Sequence, residues 1–397
     1  MPRPNDQPPQ QASTAAAGAL AADYAERLLV GTVRDVHRAL STRVFRWTGP
    51  AGAPARLLHD GISSGVYGLL SRGLRATGAA LRQADRCGRG GPALDRRRGG
   101  RRTAAIVNGF IGESLEEEHH PMAIRMAARV GGEDVTDFAA AYPDATGDVV
   151  VFLHGLVEDD RSWHWGAEPG GPTYAERLQA DTSWTPVTMR FNTGLPVTRN
   201  GELLSDFLTD LLDRWPTPVR RLALVGHSMG GLVALAACQH AGCEQDVPLA
   251  WTSRVRHVVC LGTPHLGAPL EQVVYHGARV LSAFPESSPF ATILNTRSAG
   301  ILDLRQAVLD CTPLEGASYH CFSASMRGPA GLLLGDLLVR RHSATGRIPG
   351  ATSQHLPGTH HFRLLNHPEV YADLHRRLTS EPAEPNASDV SVLGPTA

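Results

Sequence analysis

Apolar positions follow two regimes along the chain. Between residues 22 and 47 they recur at helical spacing, through Tyr24, Leu28, Leu29, Val33, Val36, Leu40 and Val44. From about residue 55 to 83 the same period returns in Leu57, Ile62, Val66, Leu69, Leu70 and Leu74. Beyond residue 123 the pattern changes. Ala123–Val130, the pair Gly131-Gly132 and Glu133–Phe138 predict a hairpin. Short continuous apolar runs follow at Val149–Leu153, Pro186–Phe191, Arg221–Gly226, Val255–Gly262 and Tyr319–Ser325, with a weaker one near Ser353–Leu356. Helical stretches alternate with them at Thr173–Asp181, Gly201–Trp215, Met229–His240 and Pro368–Leu378. Strands apolar on both faces, alternating with helices, predict an α/β fold with a mostly parallel sheet covered on both sides.

Composition changes this picture at the ends and at one connector. Residues 1–20 are rich in Pro, Gln, Ala and Ser and read as a disordered tail, as do residues 381–397. Residues 82–102 hold eight Arg, two Asp and five Gly. That is a solvated linker, with contact to an anionic lipid or phosphate as the alternative. The expected division is a tail over 1–20, a helical N-terminal region with its linker over 21–102, the α/β domain over 103–380 and a tail over 381–397.

Charge and cysteine content exclude several functions. The 38 basic residues, all of them Arg, stand against 39 acidic ones, for a net charge of −1. A dedicated nucleic-acid binder carries a basic excess, so no nucleic-acid partner is expected. Without Lys there is no Schiff-base or P-loop lysine chemistry. None of the six cysteines (Cys87, Cys238, Cys243, Cys260, Cys311, Cys321) forms a C-x-x-C pair, which removes zinc-ribbon and thioredoxin readings. Cys260 and Cys321 lie in apolar runs and read as core residues. Cys238–Cys243 and Cys311–Cys321 are close enough to bridge, but the rest of the chain does not look secreted. No apolar signal region follows Met1–Pro9, and no stretch reaches the ~18 apolar residues of a membrane span. The expectation is a soluble cytoplasmic protein, with peripheral membrane contact as the one membrane reading kept.

The decisive segment is Leu222-Ala223-Leu224-Val225-Gly226-His227-Ser228-Met229-Gly230-Gly231-Leu232-Val233-Ala234. A buried strand runs into Gly-x-Ser-x-Gly and an apolar helix follows. A Ser held on a tight strand-to-helix turn takes a strained backbone conformation. Side chains two before and two after it would meet neighbouring backbone, so Gly226 and Gly230 stand there. The helix beginning at Met229 aims its positive end at the Ser and favours a developing oxyanion.

Other marks accompany this elbow: Val151-Phe152-Leu153-His154-Gly155-Leu156, Arg190-Phe191-Asn192-Thr193-Gly194, Leu261-Gly262-Thr263-Pro264-His265-Leu266-Gly267-Ala268-Pro269 and Leu364-Leu365-Asn366-His367-Pro368. With them the chain, over about residues 104–378, resembles α/β-hydrolases of the lipase/esterase class. The nearest subgroup is the actinobacterial hydrolases akin to GPI inositol-deacylase-like lipases. The resemblance implies an α/β-hydrolase sheet of about eight strands with helices on both faces, a helical lid and a helical N-terminal appendage.

Acyl transfer needs two amides aimed at one oxygen. Gly155, after the first apolar strand, allows close backbone approach, and Met229 follows the Ser. The oxyanion amides are therefore assigned to Met229 and to Leu156, the latter implied by the resemblance. Ser228 needs a base, and the base an orienting carboxylate, in the chain order Ser, acid, His. Asp336, 108 residues past Ser228, resembles the family's Gly-Asp-x-x-Val acid loop. Asp303 and Asp310 precede the last long strand and fit less well. Of the six His after Asp336, His360 and His361 share the loop after the last strand. The family's register, with the base before an apolar residue and the Leu-Leu-x-His-Pro helix entry, favours His361. His154 and His227 flank the site as loop holders, with His265 near the same loops. No Cys/His/Asp spacing motif points to a metal, and no cofactor is required.

Residues 269–318 are too long for a plain connection and carry Tyr275, Phe284, Phe290 and Ile293 among other apolar residues. They predict a helical lid over Ser228, with Trp163 and Trp165 rimming the entrance and the N-terminal helices as a second wall. The expected function is a serine hydrolase acting on small-molecule or lipid esters with apolar acyl groups. A thioesterase or acyltransferase with the same triad is one rival. A non-catalytic binding module on the hydrolase fold is the other.

Overall fold

The computed structural model describes residues 12–48, 53–97, 99–167, 171–243, 249–267, 298–306, 312–325 and 348–380, together with Val339 and Ser343. Helix α1 (Thr14–Tyr24) passes through a π-helical stretch, Ala25–Val30, into α2 (Gly31–Thr48), and α3 (Ala53–Arg86) follows. The start of α1 corrects the expected tail. Ser13 caps the helix by accepting from the Ala16 N–H, and the Ala-rich run behind it has the highest helix propensity of any residue type. A second correction is α4 (Gly100–Glu117), which begins inside the Arg-rich linker and continues across the expected boundary at 102/103.

The sheet is built from β1 (Ala127–Val130), β2 (Glu133–Asp134), β3 (Asp148–Leu153), β4 (Trp184–Arg190), β5 (Arg221–His227), β6 (Val255–Leu261), β7 (Ser318–Ser325) and β8 (Thr352–Pro357). Its order is β2-β1-β4-β3-β5-β6-β7-β8. β1 runs antiparallel to β2 and β4; every pairing from β4 to β8 is parallel. The predicted hairpin is present but shorter, because Asp137 caps a short helix α5 (Phe138–Ala141) where the second strand would continue. The remaining helices are α6 (Tyr174–Asp181), α7 (Val197–Arg214), α8 (Met229–Cys243), α9 (Ala299–Gln306) and α10 (Pro368–Thr379).

Alternation within each strand divides the core in two. Val149, Val151 and Leu153 of β3 and Leu222 and Leu224 of β5 pack with α7 and α8; Val150, Phe152, Ala223 and Val225 pack with α6 and α10. All nine are fully buried. α7 starts four residues earlier than its apolar pattern suggests. Asp303, on α9, accepts from the Val197 N–H at 2.8 Å and serves as a cap from 106 residues away.

Two charged clusters fix the sheet's surroundings. Asp134 accepts from Arg129 at 2.6 Å and from Arg190 at 2.7 Å, and Asp95 pairs with Arg190. The linker is thus tied to the sheet edge by Asp95, and also by Arg96, which pairs with Glu133 of β2 at 3.8 Å. At the amino ends of the parallel strands, Asp148 is 1% exposed and takes a two-pronged contact from Arg221 at 2.9 and 2.7 Å, with Ser183 at 3.1 Å. Burial would raise the Asp148 carboxyl, but the Arg221 guanidinium outweighs it and holds it below its ordinary value of 3.8. A depressed carboxyl stabilises the fold above its unfolded value and loses that contribution as pH falls through the folded one. Asp148→Asn is therefore expected to lower stability by about 1–3 kcal/mol at neutral pH, with the gap to wild type closing below about pH 4. Urea unfolding at several pH values measures this; a gap that stays constant into acid would remove the charge from the account.

Candidate active site

Four loops meet at the carboxyl ends of the parallel strands, beside the point where the chain turns from β4 on one side of β3 to β5 on the other. Open α/β sheets place their ligands at such a switch. Ser228 follows β5 with φ +52°, a left-handed conformation rare outside glycine. Its N–H donates to the Leu261 carbonyl at 2.8 Å. The two flanking glycines are sterically required. A Cβ on Gly226 would lie 2.3 Å from the Gly231 nitrogen, and one on Gly230 would lie 2.2 Å from the Leu153 carbonyl oxygen.

After β3, His154-Gly155-Leu156 passes directly over the Ser: a Cβ on Gly155 would sit 3.1 Å from Ser228 Cβ. Among the described residues the Leu156 and Met229 amides donate to no hydrogen bond. The neighbouring Gly155 amide is engaged, donating to Glu158 Oε2 at 2.8 Å. His361, after β8, is 1% exposed, and its ring packs on the Gly262 backbone, with Nδ1 3.1 Å from where a Cβ would stand. Since Ser228 is bonded to Leu261, this brings Ser228 and His361 to the same end of β6. His360 points elsewhere. It is exposed and lines a depression of about 620 Å³ with Arg102, Trp165, Gly166, Phe362 and Arg363. Asp336 and Asp310 lie outside the described residues, as does most of the expected lid. Within the span expected to be a lid, α9 docks through Ser298, whose hydroxyl donates to the Gly109 carbonyl at 2.5 Å, and through the Gly300 N–H to the Gly194 carbonyl at 3.1 Å.

Pattern reading missed Glu158. Its carboxylate is buried and lies 3.1 Å from His227 Nδ1, while His227 Nε2 faces the His361 carbonyl at 3.4 Å. One acid thereby holds the loop after β3, the residue before Ser228 and the loop after β8. Its only sequence signal is an acid three residues past Gly155. Burial would raise the Glu158 carboxyl; the His227 imidazole and the Gly155 N–H outweigh it and keep it below the ordinary 4.5. The loop-holding expected of His154 and His227 is observed. His154 donates through Nδ1 to the Gly155 carbonyl at 2.9 Å and stacks on Phe191 with ring centres 4.3 Å apart. Trp165 borders the surface depression, with the Arg102 guanidinium 4.7 Å above its ring. Trp163 does not rim an entrance: it is buried edge-on against Phe152, because Asn366 binds its carbonyl and draws the loop down. The wall from the N-terminal half is α4, whose Gly109 abuts Val157 and whose Gly112 carbonyl accepts from Asn192 at 2.9 Å.

Residues 144–286 match the family model of the PGAP1-like alpha/beta domain, a span that includes β3 to β6 and the elbow. The chain has the α/β-hydrolase fold. Among solved structures the chain is similar to the lipase BlEst2 of Bacillus licheniformis in its mature form, at 18% identity over 59% of this chain and 92% of that one, with a TM-score of 0.44. It is also similar to the carboxylesterase CesB of Bacillus subtilis, at 12% identity over 58% of this chain and 84% of that one, with a TM-score of 0.36. No curated protein matches the chain in sequence. No helix among its described residues is long and apolar enough to cross a membrane.

Removing the buried Glu158 carboxylate would strand the Gly155 N–H and His227 together. Glu158→Ala is expected to lower stability by about 3–5 kcal/mol, as loss of one partner from a buried pair does. Denaturant unfolding of the two proteins at pH 7 checks this; a loss under about 1 kcal/mol would show that water replaces the carboxylate at no cost.

Proposed function

We propose that this chain is a serine hydrolase cleaving carboxylic esters with lipid-like or apolar acyl groups through an acyl-enzyme on Ser228. The observation that supports it most is the strained Ser228, set at the start of α8 beside two amides that bond to no described residue, and across β6 from a buried histidine. In this reading His361 takes the hydroxyl proton as Ser228 Oγ attacks the ester carbonyl. The Leu156 and Met229 amides receive the negative charge that develops on the carbonyl oxygen, in a place where burial makes such hydrogen bonds strong. His361 then returns the proton to the leaving alcohol. Water, deprotonated by His361, releases the acid and restores Ser228. Asp336 is the carboxylate that orients His361 and stabilises its imidazolium. The chemistry needs no cofactor.

Ser228→Ala is expected to abolish labelling by a fluorophosphonate probe and to lower ester turnover by about 10³-fold or more, with the circular dichroism spectrum unchanged. Labelling that survives would remove Ser228 from the mechanism. Members of such a triad act as a unit, so His361→Ala should cost about as much as Ser228→Ala, and His360→Ala far less. The opposite ranking, on a panel of esters of increasing acyl length, would move the base by one residue. A matching thioester of one acid, run in the same panel, distinguishes ester from thioester preference.

A further inference from the structure

Behind the loop that backs His361, three residues with soft or borderline donor atoms converge. Cys260 and Cys321 are direct register partners on the adjacent parallel strands β6 and β7, and both side chains point to the α8 side of the sheet. Neither is disulfide-bonded. His265, five residues past Cys260, folds back over them with Nε2 3.7 Å from Cys321 Sγ. One donor atom from each lies within 4.8 Å of the other two, and all three residues are buried.

The arrangement is held from outside. The His265 N–H donates to the Thr263 and Ser343 carbonyls at 3.0 and 3.1 Å, and the Ser343 hydroxyl accepts from the Leu266 N–H at 2.9 Å. The imidazole is therefore presented by a backbone turn rather than by its own packing. A tetrahedral zinc ion, bonded at about 2.3 Å to sulfur and about 2.0 Å to nitrogen, needs donors roughly 3.5–3.8 Å apart. The pair Cys321 Sγ and His265 Nε2 already meets that spacing, and the remaining separations, each within 4.8 Å, require closure by about 1.3 Å at most.

We propose that Cys260, Cys321 and His265 form a binding site for one zinc-class cation, separate from the elbow. Two sulfurs and one imidazole nitrogen select a thiophilic d¹⁰ ion over the hard, oxygen-seeking Mg²⁺ and Ca²⁺. Binding releases the thiol protons to solvent as each sulfur coordinates. The ion would join β6 and β7 to the turn that follows Gly262. Its effect is on the rigidity of the ground on which His361 packs.

The test uses the full chain, reduced with a phosphine, stripped with a chelator and titrated with Co²⁺ as a spectroscopic stand-in for zinc. The expected result is saturation at one equivalent with intense visible bands of a tetrahedral ion, sulfur-to-metal charge transfer in the near ultraviolet, and bleaching by Zn²⁺. Zinc should also raise the melting temperature of the stripped protein. Cys321→Ser and His265→Ala should each weaken Co²⁺ binding by about 100-fold or more, while Cys87→Ser, at an exposed position, should not change it. A weak octahedral spectrum on the wild-type chain overturns the proposal without recourse to any variant. So does binding that survives in Cys321→Ser.

Discussion

Everything at the carboxyl edge of the sheet depends on one close approach, that of the first turn of α8 to the ends of β3 and β5. Ser228 can hold a left-handed backbone only because the chain enters α8 with no room for a Cβ at Gly226 or Gly230. Such a conformation costs on the order of 1–3 kcal/mol and persists when its surroundings over-determine it. Here they do. Leu232, Val233, Ala236 and Ala237 of α8 are buried against α7 and the sheet, and Ser228 itself is tied to β6 by its N–H. The strain is offset by apolar burial a turn away.

The loops around that turn are held differently. They must stay near a reacting centre without covering it, so they are anchored by buried polar groups rather than by apolar side chains. Glu158 binds the Gly155 N–H of its own loop and His227, and His227 in turn reaches the His361 carbonyl. Asn366, at φ +62°, accepts from the Tyr174 N–H and donates to the Trp163 and Trp165 carbonyls, joining the His361 loop to the loop after β3. Buried polar groups of this kind are costly unless paired, which makes the arrangement exact in geometry and intolerant of single losses. At the opposite end of the strands, Asp148 meets Arg221 in a charge cluster that also takes Ser183 and Arg220 from the neighbouring loops.

The N-terminal half shows how far composition can mislead about local structure. Residues 14–20 are Ala-rich, and a biased composition reads as disorder until the capping Ser13 is noticed. The Arg-rich linker reads as solvated, yet Asp95 within it closes the buried ion network of Arg129 and Arg190. Helix α4 was illegible because its first turn lies among those arginines and it bends at Ile111 (φ −135°, ψ +18°), where the flanking glycines let Val157 and Asn192 approach.

What the sequence determined alone is whatever a short window contains. The six parallel strands, the order of strand and helix, and the Gly-Ser-Gly elbow follow from period, chain order and a five-residue steric requirement. Each is legible because its cause is local. The tertiary structure decided the rest, because the partners are far apart in the chain or one residue apart on it. His360 and His361 are neighbours in sequence, and only the path from β8 into the next turn buries one ring on Gly262 and sends the other to the surface. Glu158 and His227 are 69 residues apart, and His265 and Cys321 are 56 apart. No spacing rule joins such pairs. Parallel strands, each returned through a helix, bring them together, and burial then requires their polar atoms to meet.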